Sequence, residues 1–255
     1  MSTKPVIILT GASRGVGFAI AHYLLRAPTS ARLLAVARSS APLEKLKSEY
    51  PGQFEFVAGD LGNPATARAA VEKAVSVFGR IDSLIINHGV LDPVSKISDA
   101  NVEEWRRSFD IGFFSAVDLV KESITELRKS KGRVIFVSSG AAVTGYQGWG
   151  AYGASKAAMN HLSITLAAEE PDITSIAIRP GVMDTQMQQE IREKHGQAMG
   201  DHHKRFTKLK EDEKLLRPEQ PGHVIAKLAL GGGNELSGQF LKYASSFILN
   251  NSETD

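Results

Sequence analysis

The sequence contains no cysteine, and this absence excludes several kinds of site. Without thiols there is no disulfide framework, no thiolate nucleophile and no cysteine-ligated metal, and we predict no metal site. No apolar segment is long enough to span a bilayer, and the first apolar run, Pro5–Leu9, is too short for a signal peptide. Lys and Arg number 30 against 28 Asp and Glu, an excess too small to indicate nucleic-acid or membrane binding. We therefore expect a cytoplasmic protein that binds small molecules.

Short apolar runs alternate with helical patterns along the chain. Runs that are apolar on both faces and partly β-branched are typical of parallel strands covered by helices, so this order predicts an α/β fold with a doubly wound parallel sheet. The 255 residues are enough for one large domain, 1–255, although length alone also allows two. The predicted strands are Val6–Leu9, Leu33–Ala37, Phe54–Val57, Ser83–Ile86, Arg133–Val137, Ser175–Ile178 and Gln239–Tyr243. The predicted helices are Gly15–Arg26, Leu43–Glu49, Pro64–Phe78, Val102–Arg128 and Tyr152–Glu169.

One polar stretch, residues 185–217, interrupts this alternation. It is rich in Lys, Glu, Gln and His, and it contains two helical patterns, Gln186–Lys194 and Lys204–Leu216. Because it follows a strand end, on the side where such sheets bind ligands, we interpret it as a lid over a substrate. The alternative is a solvated surface insertion.

A glycine-rich turn, Thr10-Gly11-Ala12-Ser13-Arg14-Gly15-Val16-Gly17, joins the first strand to the first helix. A helix N-terminus offers free N–H groups and the positive end of its dipole to an anion, and glycine lets a pyrophosphate approach the backbone. The spacing Gly-x-x-x-Gly-x-Gly differs from the common Gly-x-Gly-x-x-Gly. The turn predicts a nucleotide site, and a plain connection is the alternative.

The end of the second strand predicts the choice of nucleotide. NAD sites usually carry an acidic residue there for the ribose 2′-hydroxyl, whereas this chain has Arg38, and Arg14 lies in the glycine turn. Two guanidiniums can hold a 2′-phosphate through charge-assisted hydrogen bonds. We therefore predict NADP(H), with a solvated Arg38 as the alternative.

The pair Tyr152 and Lys156 indicates acid–base chemistry. Residues four apart share one helix face, and a nearby ammonium lowers a phenol's pKa, so that it exchanges protons near neutral pH. Ser138-Ser139 ends the preceding strand, where ligand-binding groups of such sheets belong. A surface pair on an amphipathic helix is the alternative explanation of the Tyr-x-x-x-Lys spacing.

Taken together, the glycine turn, Ser138-Ser139, Tyr152-x-x-x-Lys156 and Arg179-Pro180-Gly181 resemble the short-chain dehydrogenase/reductase family over nearly the whole chain. The resemblance implies a Rossmann-type domain with a seven-stranded sheet, and a homodimer or homotetramer through the long helices. It makes Ser139 the substrate-orienting serine, Tyr152 the acid/base, and Lys156 the residue that binds the nicotinamide ribose. It implies a cofactor set of Gly11, Ser13, Arg14, Gly15, Val16, Gly17, Arg38, Asp60, Leu61, Asn87, Gly89, Tyr152, Lys156, Pro180, Gly181, Val182 and Thr185.

A narrower likeness points to a substrate class. The segments around Ser139 and Tyr152, and Pro180-Gly181-Val182-Met183-Asp184-Thr185, resemble the benzil reductase branch of the family. We therefore expect an NADPH-dependent carbonyl reductase that converts a ketone or diketone to a hydroxyketone. The alternative is a non-catalytic NADP sensor or scaffold on the same fold.

Three positions depart from the family pattern or leave their role open. His88 replaces an alanine, and either cofactor contact or a structural role is consistent with it. Gly112 stands where the family has a catalytic asparagine, whose backbone carbonyl holds a water in a relay toward the lysine. Glycine keeps that carbonyl, so we expect an active enzyme. Trp149 either stacks on an aromatic substrate or packs in the protein.

Overall fold

Seven short strands form one parallel sheet in the computed structural model, which describes residues 4–245; the two ends of the predicted domain lie outside this range. The strand order is β3-β2-β1-β4-β5-β6-β7, which confirms the predicted doubly wound class. The strands are β1 Val6–Thr10, β2 Arg32–Ala37, β3 Phe54–Ala58, β4 Ser83–Ile86, β5 Arg133–Val137, β6 Thr174–Arg179 and β7 Phe240–Lys242.

The strand β1 shows why these sequences fold as a central sheet. Its side chains alternate between the two faces, so that Ile7 and Leu9 join one apolar cluster while Val6 and Ile8 join the other. All four are fully buried. Burial on both faces requires helices on both sides of the sheet, and the chain supplies them.

The helices include the predicted ones in the predicted order. They are α1 Gly15–Leu25, α2 Ala41–Glu49, α3 Pro64–Phe78, α4 Val102–Phe109, α5 Ser115–Ser130, α6 Gly150–Glu169, α7 Gln186–Lys194, α8 Gly196–Met199, α9 Asp201–Glu211 and α10 Glu219–Gly231. Of these, α8 and α10 are present in addition to the predicted helices. The Asn63 side chain caps α3 by accepting from the Ala65 N–H at 3.1 Å, and Pro64 occupies the first turn.

The predicted helix Val102–Arg128 is divided in the structure. A π-helical turn, Asp110–Phe114, separates α4 from α5. The apolar periodicity continues through this turn, so the sequence pattern did not reveal it. Such turns often occur at functional sites.

The insertion at 185–217 folds as three helices, α7 to α9. The expected helix Lys204–Leu216 is wrong at both ends, because α9 spans Asp201–Glu211 and Leu216 instead forms an isolated parallel bridge with Met183. Three residues of the insertion join a separate apolar cluster with Leu91, Ala141 and Trp149. These three residues are Ile191, Met199 and Phe206. The insertion is therefore packed against the rest of the molecule.

The connection between β1 and β4 places the site. The chain passes from β1 to β2 and β3 on one side, then returns to β4 on the other side of β1. Ligands of open α/β sheets bind beyond the carboxyl ends of the strands at such a switch point. Within residues 4–245, no helix is long and apolar enough to cross a membrane, and no cluster of His, Asp and Glu could hold a metal.

Candidate active site

Two adjoining cavities open at the carboxyl ends of the strands. The turn cavity, about 300 Å³, lies at the glycine turn after β1, and the insertion cavity, about 570 Å³, lies between the sheet edge and the insertion. Tyr152 lies on the wall that the two cavities share, together with Ser138, Pro180, Met183, Thr185 and Met187. A ligand in one cavity and a ligand in the other would therefore meet at Tyr152.

Glycines shape the turn at the floor of the turn cavity. Gly11 and Gly15 have φ of +69° and +55°, a backbone conformation that glycine adopts without strain. A Cβ on Gly17 would lie 2.1 Å from the Gly11 carbonyl oxygen, so only glycine lets α1 start this close to β1. This geometry fits a dinucleotide, because backbone N–H groups at the start of α1 border the cavity without side chains in the way.

Two arginines and one carboxylate lie around the far end of the turn cavity. Arg14 and Arg38 both line it and are exposed, and the Arg14 guanidinium donates to the Gln186 side chain of the insertion. Asp60 is the only carboxylate among the described residues of this lining. Its side chain accepts from the Gly62 N–H at 3.0 Å and pairs with Arg107 at 3.5 Å. Asp60 follows β3, whereas the position directly after β2 holds the cation Arg38.

The end of β4 ties the glycine turn to the sheet. The Asn87 side-chain nitrogen donates to the carbonyl oxygens of Thr10, at 3.0 Å, and Gly11, at 3.2 Å. Gly89 follows, and a Cβ there would lie 3.4 Å from the Lys156 ammonium. Asn87 therefore holds the turn in shape, while Gly89 leaves room beside Lys156.

The Lys156 side chain is buried and has no carboxylate partner among the described residues. It is 4% exposed, and its ammonium donates to the Val137 carbonyl at 2.9 Å. Burial disfavours the charged form and lowers the pKa of Lys156 to about 8. The ammonium is therefore still largely protonated at neutral pH, close to its titration range.

Tyr152 and Ser139 form a hydrogen-bonded pair. The Ser139 oxygen accepts from the Ala141 N–H at 3.1 Å, which leaves its own proton free to donate to the Tyr152 oxygen. Burial raises the pKa of Tyr152, and the Ser139 hydrogen bond partly opposes this. The ammonium of Lys156 lies 6.0 Å from the Tyr152 ring centroid. The net shift of the Tyr152 pKa is therefore upward and set by burial, opposite in direction to the lowering that the sequence predicts from Lys156.

The structure brings most of the predicted cofactor residues together. The turn cavity is lined by Gly11, Ser13, Arg14, Gly15, Val16, Arg38, Asp60, Leu61, Asn87, Gly89, Tyr152, Lys156, Pro180 and Thr185. Three others lie elsewhere, since Gly17 is behind the turn while Gly181 and Val182 line the insertion cavity with Ser139. Sequence reasoning missed Ile111, Gln186 and Met187, which reach the turn cavity from the π turn and from α7. In the sequence, only their position next to the predicted motifs could have indicated that these three residues line the cavity.

Aromatic side chains form one wall of the insertion cavity. The Trp149 ring lies 5.0 Å from the Tyr146 and Phe206 rings and 5.7 Å from Tyr152, between centroids. Trp149 is only 7% exposed, so it packs in the protein and supports Tyr152. The described lining has no acidic residue but four cations, namely Arg179, Arg205, Lys214 and Lys242.

His88 has a structural position in the same region. Its ring lies between the Thr10 hydroxyl, 2.8 Å from Nδ1, and the Ile111 carbonyl, 2.9 Å from Nε2. Burial, with a smaller effect of the Lys156 charge, lowers the pKa of His88 to about 3, so the ring is neutral. His88 also borders the turn cavity. The hydrogen bonds show the structural role that the sequence left open, and contact with a cofactor stays a prediction.

Comparison with known proteins identifies the family. A family model for short chain dehydrogenases matches residues 5–196. The benzil reductase ((S)-benzoin forming) of Saccharomyces cerevisiae is 40% identical over 250 residues, which cover 93% of this chain and 95% of that protein.

Solved structures agree with this assignment. A short chain dehydrogenase/reductase from Saccharomyces cerevisiae matches with a TM-score of 0.94 and 42% identity, over 96% of this chain and 98% of that one. The L-sorbose reductase of Gluconobacter frateurii, solved with NADPH and L-sorbose, matches with a TM-score of 0.82 and 26% identity, over 94% and 95% of the two chains. This chain therefore belongs to the short-chain dehydrogenase family of oxidoreductases.

Proposed function

We propose that the protein is an NADPH-dependent carbonyl reductase that reduces ketones or diketones, with Tyr152 as the proton donor. The observation that carries this proposal is the position of Tyr152 on the wall shared by the two cavities. Lys156 borders only the turn cavity, and Ser139 borders only the insertion cavity. This division suits a cofactor on one side of Tyr152 and a carbonyl substrate on the other.

The preference for NADPH rests on the two arginines. Arg38 follows β2, where an acidic residue would favour NAD, and Arg14 lies in the glycine turn. Both guanidiniums can donate to a 2′-phosphate. The related L-sorbose reductase was solved with NADPH, which supports the same choice here.

The chain's own residues supply the proton chemistry of the proposed reaction. Bound NADPH supplies a hydride to the carbonyl carbon. The Tyr152 hydroxyl donates its proton to the carbonyl oxygen, which completes the alcohol. Ser139, whose oxygen is oriented by the Ala141 N–H, positions that oxygen beside Tyr152. Lys156, held by the Val137 carbonyl, places its positive charge at the turn cavity, where it would hold the cofactor.

The insertion at 185–217 acts as a lid in this proposal. Its helices supply Gln188, Ile191 and Phe206 to the insertion cavity, and Gln186 contacts Arg14 at the turn cavity. A segment that contacts both cavities can close over cofactor and substrate together. The single-domain organisation with this lid, the homo-oligomer and the cytoplasmic location remain predictions.

A carbonyl screen with NADPH and NADH tests the proposal. The panel contains benzil and other diketones, since benzil reductases are among the relatives. It also contains keto acids with their matched neutral esters, because the described lining of the insertion cavity is cationic. NADPH oxidation with at least one diketone, and slower oxidation of NADH, is expected. Tight NADPH binding without turnover of any carbonyl would instead support the non-catalytic sensor.

A further inference from the structure

The His88 side chain connects segments that are far apart in the sequence. Nδ1 lies 2.8 Å from the Thr10 hydroxyl at the end of β1, and Nε2 lies 2.9 Å from the Ile111 carbonyl and 2.6 Å from the Ser115 hydroxyl. Ile111 belongs to the π turn, Asp110–Phe114. One ring therefore links the start of the glycine turn to the interruption between α4 and α5.

The π turn needs such a partner. The Ser115 N–H, which would bond to the Ile111 carbonyl in an α-helix, bonds to the Asp110 carbonyl instead. The Ile111 carbonyl accepts from two side chains, His88 Nε2 at 2.9 Å and the Ser115 hydroxyl at 2.6 Å. Because an unpaired backbone carbonyl is costly away from water, these donors stabilise the irregular turn.

The tautomer of the ring is assigned from the Ile111 carbonyl, the one partner of the ring that can only accept. A carbonyl oxygen only accepts, so the Nε2 that faces Ile111 carries the proton. Nδ1 is then the acceptor on the Thr10 side, where the Thr10 hydroxyl lies 2.8 Å from Nδ1 and 3.3 Å from the Ile85 carbonyl, its other acceptor. The low pKa of His88 agrees with this neutral form. Only Nε2 therefore donates to the π turn.

The π turn in turn packs against the catalytic helix. Gly112 lies in the turn, and a Cβ there would be 3.3 Å from the Ser155 hydroxyl oxygen. The Ser155 hydroxyl donates to the Tyr152 carbonyl at 2.8 Å, and Ser155 directly precedes Lys156. A displacement of the turn therefore reaches the segment of α6 that holds both catalytic side chains.

We propose that His88 is a positioning residue whose Nε2–H bond to the Ile111 carbonyl holds the π turn against Tyr152 and Lys156. The inference rests on the proposed reductase function. His88 acts through Ser155 and the α6 segment, and it does not line the insertion cavity. We therefore expect its loss to lower kcat while the KM for the carbonyl substrate changes little.

Two conservative variants separate this role from a merely structural one. In His88→Gln the amide nitrogen takes the place of Nε2 and can still donate to Ile111, whereas in His88→Asn the shorter amide lies near Nδ1. We expect His88→Gln to retain most of kcat and His88→Asn to lose about tenfold to a hundredfold, the range that small misplacements cause. Equal kcat in the two variants would overturn the proposal. His88→Ala introduces the alanine of the family pattern and is expected to lose kcat like His88→Asn. It replaces His88→Asn in the comparison if that variant does not fold.

Amide hydrogen exchange provides a readout that needs no turnover. The amides of Phe113, Phe114 and Ser115 are expected to exchange faster in His88→Asn than in His88→Gln or the unaltered protein, whereas equal rates would contradict the proposal. His161→Asn makes the same chemical change on the exposed surface of α6 and is the matched control, with kcat and exchange unchanged. A wild-type protein that turns over no carbonyl refutes the proposed function alone, because the exchange comparison still tests the role of His88.

Discussion

Replacing Lys156 by methionine is expected to stabilise the protein while it abolishes turnover. The ammonium is buried, no carboxylate among the described residues pairs with it, and its oxygen partner is the neutral Val137 carbonyl. Methionine has a similar length and is apolar, and Met159 already packs against this side chain, 3.6 Å from the ammonium. The variant keeps the packing and removes the buried charge.

The expected gain follows from the pKa of Lys156. Its value is about 8 in the folded protein against 10.5 for a free lysine. At about 1.4 kcal/mol for each pKa unit, charging Lys156 costs roughly 3 kcal/mol more in the folded than in the unfolded chain. The loss of the hydrogen bond to the Val137 carbonyl reduces this gain in stability by about 1 kcal/mol. A net gain of about 2 kcal/mol corresponds to a rise in Tm of roughly 4–8 °C for a chain of this size.

The pH dependence gives the sharper test. Because the folded-state pKa lies below the unfolded one, the unfolded chain binds more protons between pH 8 and 10.5, and wild-type stability rises over that interval. The Tm advantage of Lys156→Met is therefore largest below pH 8 and shrinks toward pH 10.5. Thermal unfolding at both ends of this range measures it, with Lys121→Met on the exposed surface of α5 as the control. A variant that is less stable than wild type at neutral pH, or an advantage independent of pH, would refute the reasoning.

The remaining predictions concern the cofactor, the acid and the lid. Arg38→Ala should raise the KM for NADPH about tenfold through the loss of charge-assisted hydrogen bonds, while the KM for NADH should change little. Arg26 does not line the turn cavity, so the control variant Arg26→Ala should leave both KM values unchanged. Tyr152→Phe should lower kcat at least about a hundredfold, while NADPH affinity measured by fluorescence titration stays the same. Phe206→Ala should lower the free energy of unfolding by roughly 3 kcal/mol, since the ring is 3% exposed, and should raise the KM for the carbonyl substrate. An unchanged NADPH preference in Arg38→Ala would contradict the first prediction, and retained turnover in Tyr152→Phe the second. An unaltered substrate KM in Phe206→Ala would contradict the third.

The sheet was predictable because its signal is local. Runs such as Arg133–Val137 are apolar throughout, and burial on both faces is what a central parallel strand requires. The grouping of the candidate site residues was predictable for a related reason, since their motifs stand at strand ends, where the topology gathers them. Ser139 directly follows β5, and Tyr152 lies in the next helix, α6. The two side chains meet in one hydrogen bond.

The helix α10 shows why other elements were not recognised. Pro221 and Gly222 near its start, and Gly231 at its end, look like helix breakers. In the structure Pro221 lies in the first turn, where its missing N–H costs nothing. Gly222 lets α10 approach α1, since a Cβ there would be 3.2 Å from the Ala19 side chain. The glycine serves a packing contact across more than 200 residues, which local patterns do not contain.

The upward shift of the Tyr152 pKa bears on the direction of the proposed reaction. Burial raises the pKa of Tyr152, so the phenol carries its proton at neutral pH, as a proton donor must, but it is a weaker acid than a free tyrosine. Alcohol oxidation would need the same group as a phenolate, which burial disfavours and only the Ser139 hydrogen bond supports. Lys156 is largely protonated at neutral pH and loses its charge as the pH rises above its pKa of about 8. Tyr152 therefore holds its proton at neutral pH, which is the form that the proposed reduction requires.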